Sequence, residues 1–115
     1  MKTLRLAMMS VLLSLIALGT SQSAPGDVAV ERGHALFAGS CAYCHGQKGF
    51  ATTLLAKRLG AQSAVLETRT DLSPALIRAA VRHGINGMPW YRRSELSDAD
   101  LDDIVSFLTR QRDTQ

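Results

Sequence analysis

The sequence predicts an all-α protein, because apolar residues recur at helical spacing and no segment alternates in the way that a half-buried strand would. The clearest helix follows Ser73 as its cap and Pro74 at its first position, and Gly84 ends it. A second clear helix starts after Ser97, with an acidic first turn that complements the helix dipole. The apolar stripes of these two helices are Leu76, Ile77, Ala80 and Val81, and Leu101, Ile104, Val105 and Leu108.

Two less strongly marked helices complete the expected set of three to four. Asp27 is placed to cap a helix from about Val28 to Gly39, with Phe37 facing inward. A shorter helix is predicted from Thr53 to Leu59, ending at Gly60.

The N-terminal segment has the three-part pattern of a secretory signal peptide. Lys2 and Arg5 precede an apolar run, residues 6–18, and small or polar residues follow it. The alternative is a retained membrane anchor, but a spanning helix needs about 20 apolar residues and this run is shorter. We therefore expect residues 1–24 to be removed, leaving a periplasmic domain, residues 25–115, without a membrane anchor.

The charge balance of that domain excludes nucleic acid as an expected partner. Without Lys2 and Arg5, eleven basic residues stand against ten acidic ones, so the domain is close to neutral. No long basic run with interleaved aromatic residues is present.

The stretch GSCAYCHGQ, residues 39–47, places two cysteines three residues apart and His45 directly after the second. A thioredoxin-like redox pair would need a preceding strand. A zinc site would need four ligands, so His34 and His83 would have to join Cys41 and Cys44. A disulfide across so short a loop would stabilise the chain little.

The interpretation that fits this motif best is covalent attachment of one haem, for which C-x-x-C-H is the signature. The thiols of Cys41 and Cys44 would add to the two vinyl groups, and His45 would ligate the iron. Secretion favours this reading, since such attachment takes place outside the cytoplasm.

Met88 is the candidate for the sixth iron ligand. It is the one methionine outside the predicted signal peptide, and it lies in the loop GINGMPW, residues 84–90, rather than on an apolar stripe. His34 and His83 are the rival ligands. The expected pocket lining is Phe37, Leu54, Leu59, Leu72, Ile77, Val81, Leu101 and Val105, and the candidate propionate contacts are Arg69, Trp90, Tyr91 and Arg92.

Taken together, these features resemble the class I c-type cytochromes over nearly the whole of residues 25–115. The shared pattern comprises Gly33 and Phe37 in the first helix, the C-x-x-C-H motif, an arginine-containing helix ending in glycine, G-M-P, and a capped last helix. The resemblance implies an all-α class I cytochrome c fold around one haem, with the first and last helices crossing at Gly33 and Phe107.

Residues 67–108 are similar, more closely, to the small cytochrome subunit of the p-cresol methylhydroxylase and eugenol hydroxylase flavocytochromes. That likeness implies electron transfer from a periplasmic dehydrogenase, a flavoprotein oxidising 4-alkylphenols, towards a downstream cytochrome or terminal oxidase. One departure concerns the proximal histidine. Many family members have a proline after the motif whose carbonyl accepts a hydrogen bond from that histidine. Here we expect a carbonyl within residues 49–53 to replace it.

Two functions follow. The first is a single-electron carrier rather than an enzyme, with His45 and Met88 bound in both oxidation states. The alternative is a haem protein with an open sixth position that binds small ligands or reduces peroxide, with Arg82 or His83 as its acid–base residue.

Overall fold

The computed structural model describes residues 24–110 and confirms the all-α prediction for them. Two 3-10 turns, Ala61–Ser63 and Leu66–Thr68, connect the third helix to the fourth. Within this range the β-type pairing is a single isolated bridge between Ile85 and Met88. The signal peptide predicted for residues 1–24 lies, except for Ala24, outside the described residues. The helices are α1 (Pro25–Ser40), α2 (Ala42–His45), α3 (Phe50–Leu59), α4 (Pro74–His83) and α5 (Asp98–Thr109).

The first helix begins earlier than predicted, and Asp27 is not its cap. Pro25 takes the first helical position, where its missing N–H costs no hydrogen bond, and Ala24 is the cap residue without a side-chain bond. Asp27 lies inside the first turn, where the negative charge of its carboxylate stabilises the helix through its dipole.

The two later helices begin as predicted. Ser73 Oγ accepts a hydrogen bond from the Leu76 amide at 3.1 Å, and Ser97 Oγ accepts one from the Asp100 amide at 3.1 Å. Gly84 ends α4 with a φ of +72°, a conformation that favours glycine.

The core forms where α1 crosses α5, the most extensive helix contact in the described chain. A Cβ on Gly33 would overlap the carbonyl group of Asp103 and approach Phe107 Cβ to 2.8 Å, so glycine is needed at this crossing. The Phe37 and Phe107 rings pack together there, with their centroids 5.6 Å apart. The buried cluster comprises Phe37, Leu72, Ile77, Val81, Leu96, Leu101, Ile104, Val105, Phe107 and Leu108.

Among residues 24–110, no helix combines the length and the apolar character needed to cross a membrane.

Candidate functional site

A cavity of about 340 Å³ lies between the C-terminal end of α1, α3, α4 and α5. Its walls are mainly apolar, and Leu59 and Ile85 remain about half exposed beside it. The lining residues are Phe37, Cys41, His45, Leu55, Arg58, Leu59, Leu66, Arg69, Leu72, Leu76, Ile77, Ala80, Val81, Ile85, Asn86, Met88, Ile104 and Leu108.

Three residues of the predicted lining lie elsewhere. Leu54 points to solvent on α3 and its neighbour Leu55 faces the cavity. On α5, Leu101 and Val105 are buried in the helix core, whereas Ile104 and Leu108 face the cavity. The apolar stripe of α5 is wide enough to serve both the core and the cavity, so periodicity alone did not separate the two sides.

The cysteine-containing motif forms a turn of helix directly after α1. The amide of Cys41 donates to the Phe37 carbonyl at 2.8 Å, and the amide of His45 donates to the Cys41 carbonyl at 2.8 Å. This continuous backbone hydrogen bonding fixes the motif at the end of α1, with Cys41 and His45 both at the cavity wall.

The two thiols have different surroundings. Burial, with a smaller contribution from the neighbouring Cys44, raises the pKa of the Cys41 thiol to about 11. Cys44 is exposed, and both cysteines are free. Within residues 24–110 no group of three or more His, Cys, Asp or Glu side chains is arranged to hold a metal ion, so the zinc alternative lacks its further ligands there.

His45 presents a neutral ring to the cavity. Burial lowers the pKa of this imidazole, so the ring is uncharged at neutral pH, the form that binds metals. Its Nδ1 atom is buried and has no hydrogen-bond partner. The carbonyl that was expected within residues 49–53 to accept from this ring therefore does not do so.

The segment after His45 is held by its own backbone and by one buried hydroxyl. The carbonyl of Gly46 accepts from the Gly49 amide at 2.8 Å and from Thr52 Oγ1 at 2.8 Å. A Cβ on Gly49 would overlap the Cys44 carbonyl, which requires glycine there.

Met88 reaches the cavity through a tight turn after α4. Its amide donates to the Ile85 carbonyl at 2.9 Å, and Asn86 between them has a φ of +52°. A Cβ on Gly84 would lie 2.7 Å from the Met88 carbonyl oxygen. Gly84 therefore serves both the helix end and the close approach of the Met88 backbone.

Arg82 secures the chain that follows this turn. Its side chain is 12% exposed, and the guanidinium donates to the carbonyls of Tyr91 at 3.1 Å and Leu96 at 2.9 Å. It also pairs with Asp98 at 2.8 Å, at the start of α5. The segment carrying Met88 is thereby fastened to both α4 and α5.

Neither rival histidine faces the cavity. His34 is exposed on α1, with its ring 4.9 Å from that of Phe107. His83 is exposed at the end of α4 and lines two other pockets. Of the three histidines in the sequence, His45 is the one at the cavity wall.

The four candidate propionate contacts occupy two places. Arg69 lines the cavity, 13% exposed, and pairs with Asp71 at 2.6 Å. Trp90, Tyr91 and Arg92 line a separate pocket of about 380 Å³. Tyr91 is nevertheless close to the motif, since its hydroxyl donates to the Ser40 carbonyl at 3.4 Å. Burial, and then Cys41 and Cys44, raise the pKa of Tyr91.

Sequence reasoning missed Arg58, which also lines the cavity. Its position one residue before the end of the short helix α3 carried no signal that would distinguish it from a surface residue.

The donors at the cavity fit a haem. An apolar, partly open cavity suits a flat macrocycle. The Cys41 thiol and the neutral His45 imidazole lie at its wall, and the Met88 thioether comes from the loop after α4. The two guanidinium groups of Arg58 and Arg69 can meet the carboxylates that a haem carries.

Comparisons with known proteins point the same way. Residues 28–108 match the family model described as cytochrome C oxidase, cbb3-type, subunit III. Cytochrome c6 of Cyanidium caldarium is 30% identical over 103 residues, which cover 90% of this chain and 90% of the relative. Cytochrome c6 of Synechocystis sp. is 33% identical over 82 residues, which cover 71% of this chain and 65% of the relative. No solved structure gives a significant match.

Proposed function

We propose that this chain, which belongs to the class I c-type cytochromes and carries one covalently attached haem c, transfers single electrons in the periplasm from a dehydrogenase towards the respiratory chain. We further propose that Cys41 and Cys44 hold the haem and that His45 and Met88 ligate its iron. The observation that carries the ligand assignment is that His45 and Met88 line the same cavity while His34 and His83 do not.

The protein's contribution to electron transfer is to keep the ligands in place and water out. The bound haem supplies a one-electron couple between ferric and ferrous iron. His45 is neutral and held at the end of a helix, and Met88 is held by the turn that Gly84 and Arg82 secure. With the backbone of both ligands held in advance, little has to reorganise when the charge of the iron changes. A thioether donates weakly and raises the potential relative to a second histidine.

The likeness of residues 67–108 to the flavocytochrome small subunits supports a flavoprotein dehydrogenase as the electron donor. This stretch supplies more than half of the cavity lining, including Arg69 and Met88. It also supplies Trp90, which is 55% exposed, and Arg92, whose guanidinium lies 5.3 Å from the Trp90 ring centroid. The proposed donor oxidises 4-alkylphenols. Stopped-flow mixing of the ferric cytochrome with such a flavoprotein and its substrate tests this: rapid haem reduction is expected, and no reduction would contradict this choice of donor.

Placement of the side chains supports different roles for the four predicted propionate contacts. Arg69 lies in the cavity, partly buried, and remains our proposed propionate donor. Trp90, Tyr91 and Arg92 lie outside the cavity lining. The exposed Trp90 and Arg92 fit a docking surface better, whereas Tyr91 packs against the helix core.

The alternative with an open sixth position finds less support. Met88 is at the cavity wall, while Arg82 and His83, the residues proposed for acid–base work, line other pockets. Arg82 is moreover engaged by two carbonyls and Asp98.

Replacement of the sixth ligand tests the ligand assignment. Met88→Ala is expected to retain the haem, to lose the weak ferric band near the red end of the spectrum that methionine ligation gives, to bind imidazole and to lower the potential. His34→Gln and His83→Gln are the controls and should leave the band and the potential unchanged. An unchanged potential in Met88→Ala, together with a changed potential in either histidine control, would reassign the sixth ligand.

A further inference from the structure

Thr52 is the polar residue that the described chain buries most completely, with 5% of it exposed. It lies near the start of α3 and is not part of the cavity lining. Its hydroxyl donates to the Gly46 carbonyl at 2.8 Å. Buried hydroxyls are ordinarily hydrogen-bonded, and this one bonds to the segment that directly follows His45.

The Gly46 peptide is held on both sides. Its amide donates to the Ala42 carbonyl at 2.7 Å, which closes α2, and its carbonyl accepts from Thr52 and from the Gly49 amide. A Cβ on Gly46 would lie 2.6 Å from the Ala42 carbonyl oxygen, so this approach is close. Because Gly46 directly follows His45, its position limits how the His45 backbone can rotate.

The His45 ring itself has no such restraint. Its Nδ1 atom is buried and no protein group accepts from it. In metal sites an acceptor at the second ring nitrogen usually fixes the orientation of the imidazole. In this chain the orientation depends instead on the backbone at residues 45 and 46, and the side-chain restraint on that backbone is the Thr52 hydroxyl.

We propose that Thr52 is a positioning residue for the proximal ligand: by holding the Gly46 carbonyl it sets the angle at which His45 meets the iron. This inference rests on the proposed ligation by His45. Loss of the hydroxyl lets the ring tilt, which weakens the bond from its nitrogen to the iron. Weaker donation stabilises ferric iron less, so the potential rises.

The test uses the holoprotein and a matched neighbouring residue. Thr52→Val keeps the shape and removes the donor, and Thr52→Ser restores the donor. Thr53→Val is the control, because the exposed Thr53 hydroxyl also donates to a carbonyl of the loop, that of Gly49, at 3.2 Å. In this variant the Gly49 carbonyl still accepts from the backbone amide of residue 53, at 3.0 Å in the unaltered protein. The Gly46 carbonyl likewise keeps its bond from the Gly49 amide in Thr52→Val, so the variant leaves no orphaned carbonyl.

The direct measurement is the iron–histidine stretching band in the resonance Raman spectrum of ferrous holoprotein in the Met88→Ala background. We expect Thr52→Val to move the band to lower frequency and to broaden it, and Thr52→Ser and Thr53→Val to leave it in place. With Met88 present, the midpoint potential should rise in Thr52→Val alone.

Each other outcome has a defined meaning. A band that stays in place in Thr52→Val, or that moves equally in Thr53→Val, would overturn the proposal for Thr52. A Met88→Ala parent that is five-coordinate in its ferrous absorption spectrum and still lacks an iron–histidine band would instead refute ligation by His45 and with it the premise. If Thr52→Val gives no holoprotein, Thr52→Ala against Thr52→Ser makes the same comparison without the extra methyl, and equal bands in that pair would also overturn the proposal.

Discussion

Cys41 and Cys44 lie one helical turn apart, yet Cys41 is partly buried and Cys44 is exposed. Burial raises the pKa of the Cys41 thiol to about 11, so at neutral pH it stays protonated once the chain is folded. The thiolate is the form that reacts, and Cys44 is exposed. We therefore expect attachment to Cys41 to take place before the cavity closes around it.

Removal of the thiols tests the proposed attachment. The double variant Cys41→Ala and Cys44→Ala is expected to carry no covalent haem and to lose most of its stable fold, because the haem would fill the cavity of a small domain. Acid–acetone extraction of the haem, read by absorbance of the protein fraction, measures the result. The single variant Cys44→Ala is the control, since one thioether should remain. Haem that stays with the double variant after extraction would refute the assignment.

The sequence proposed Cys41, Cys44, His45 and Met88 as the residues that carry chemistry, because the motif and the single methionine outside residues 1–24 are local signals. Cys41, His45 and Met88 line the cavity. It did not predict that Trp90, Tyr91 and Arg92 lie outside the cavity lining, since their place depends on how Arg82 fastens residues 91–98 to α4. Thr52 gave no signal at all, because an uncharged threonine in a helical segment is ordinary until its burial is known.

At the scale of the helices, predictions succeeded where a cap was unambiguous. Ser73 and Ser97 accept amide hydrogen bonds as expected, whereas Asp27 was displaced as cap by the helical preference of Pro25 at a first position. Helix α2 was missed, because four residues are too few to show a hydrophobic period.

Two glycines of α1 provide a prediction about helix packing. Gly33→Ala places a Cβ against the Asp103 carbonyl and Phe107, forcing α1 and α5 apart, and should lower the free energy of unfolding by roughly 1–3 kcal/mol or more. Gly39→Ala meets nothing within 4 Å and should raise it by up to about 1 kcal/mol through helix propensity. Guanidinium titration of both holoproteins measures the difference. Equal effects of the two substitutions would contradict the close crossing of the helices.

At the scale of the molecule, the acidic cluster that heads α5, Asp98, Asp100, Asp102 and Asp103, is already paired, and Asp100 and Asp103 both pair with Arg32. Asp98 is bonded to Arg82 and Arg93, and Arg93 and Arg82 hold its pKa below the ordinary value. Asp102 pairs with Arg78 at 2.7 Å. Arg92, in contrast, makes no ion pair within residues 24–110, and it lies beside the exposed Trp90. Its charge is therefore available to a partner.

Docking to the electron donor should accordingly depend on Arg92. Arg92→Glu is expected to slow haem reduction by the dehydrogenase at low ionic strength, with a smaller effect at high salt, since exposed charges act mainly on the association rate. Arg93→Glu is the less clean variant, because it also breaks the pair with Asp98.

Asp102→Lys is the comparison on α5 and should change the reduction rate less, even though it breaks the ion pair with Arg78. Stopped-flow rates across a salt series make the comparison. If Asp102→Lys changed the reduction rate strongly and Arg92→Glu did not change it, the docking surface would lie on α5 instead.

The exclusion of His34 and His83 from the cavity has a consequence for how the chain reaches its native state. The proposed attachment fixes the iron to residues 41–45, so before folding the second axial position is open to whichever side chain diffuses to it first. His34 is joined to the motif by a shorter loop than Met88, and closing a shorter loop costs less entropy. His34 or His83 bound to the iron would be a kinetic trap that must dissociate before Met88 can bind. Removal of both competitors in the double variant His34→Gln and His83→Gln should therefore accelerate refolding of the holoprotein, measured by stopped-flow dilution from guanidinium.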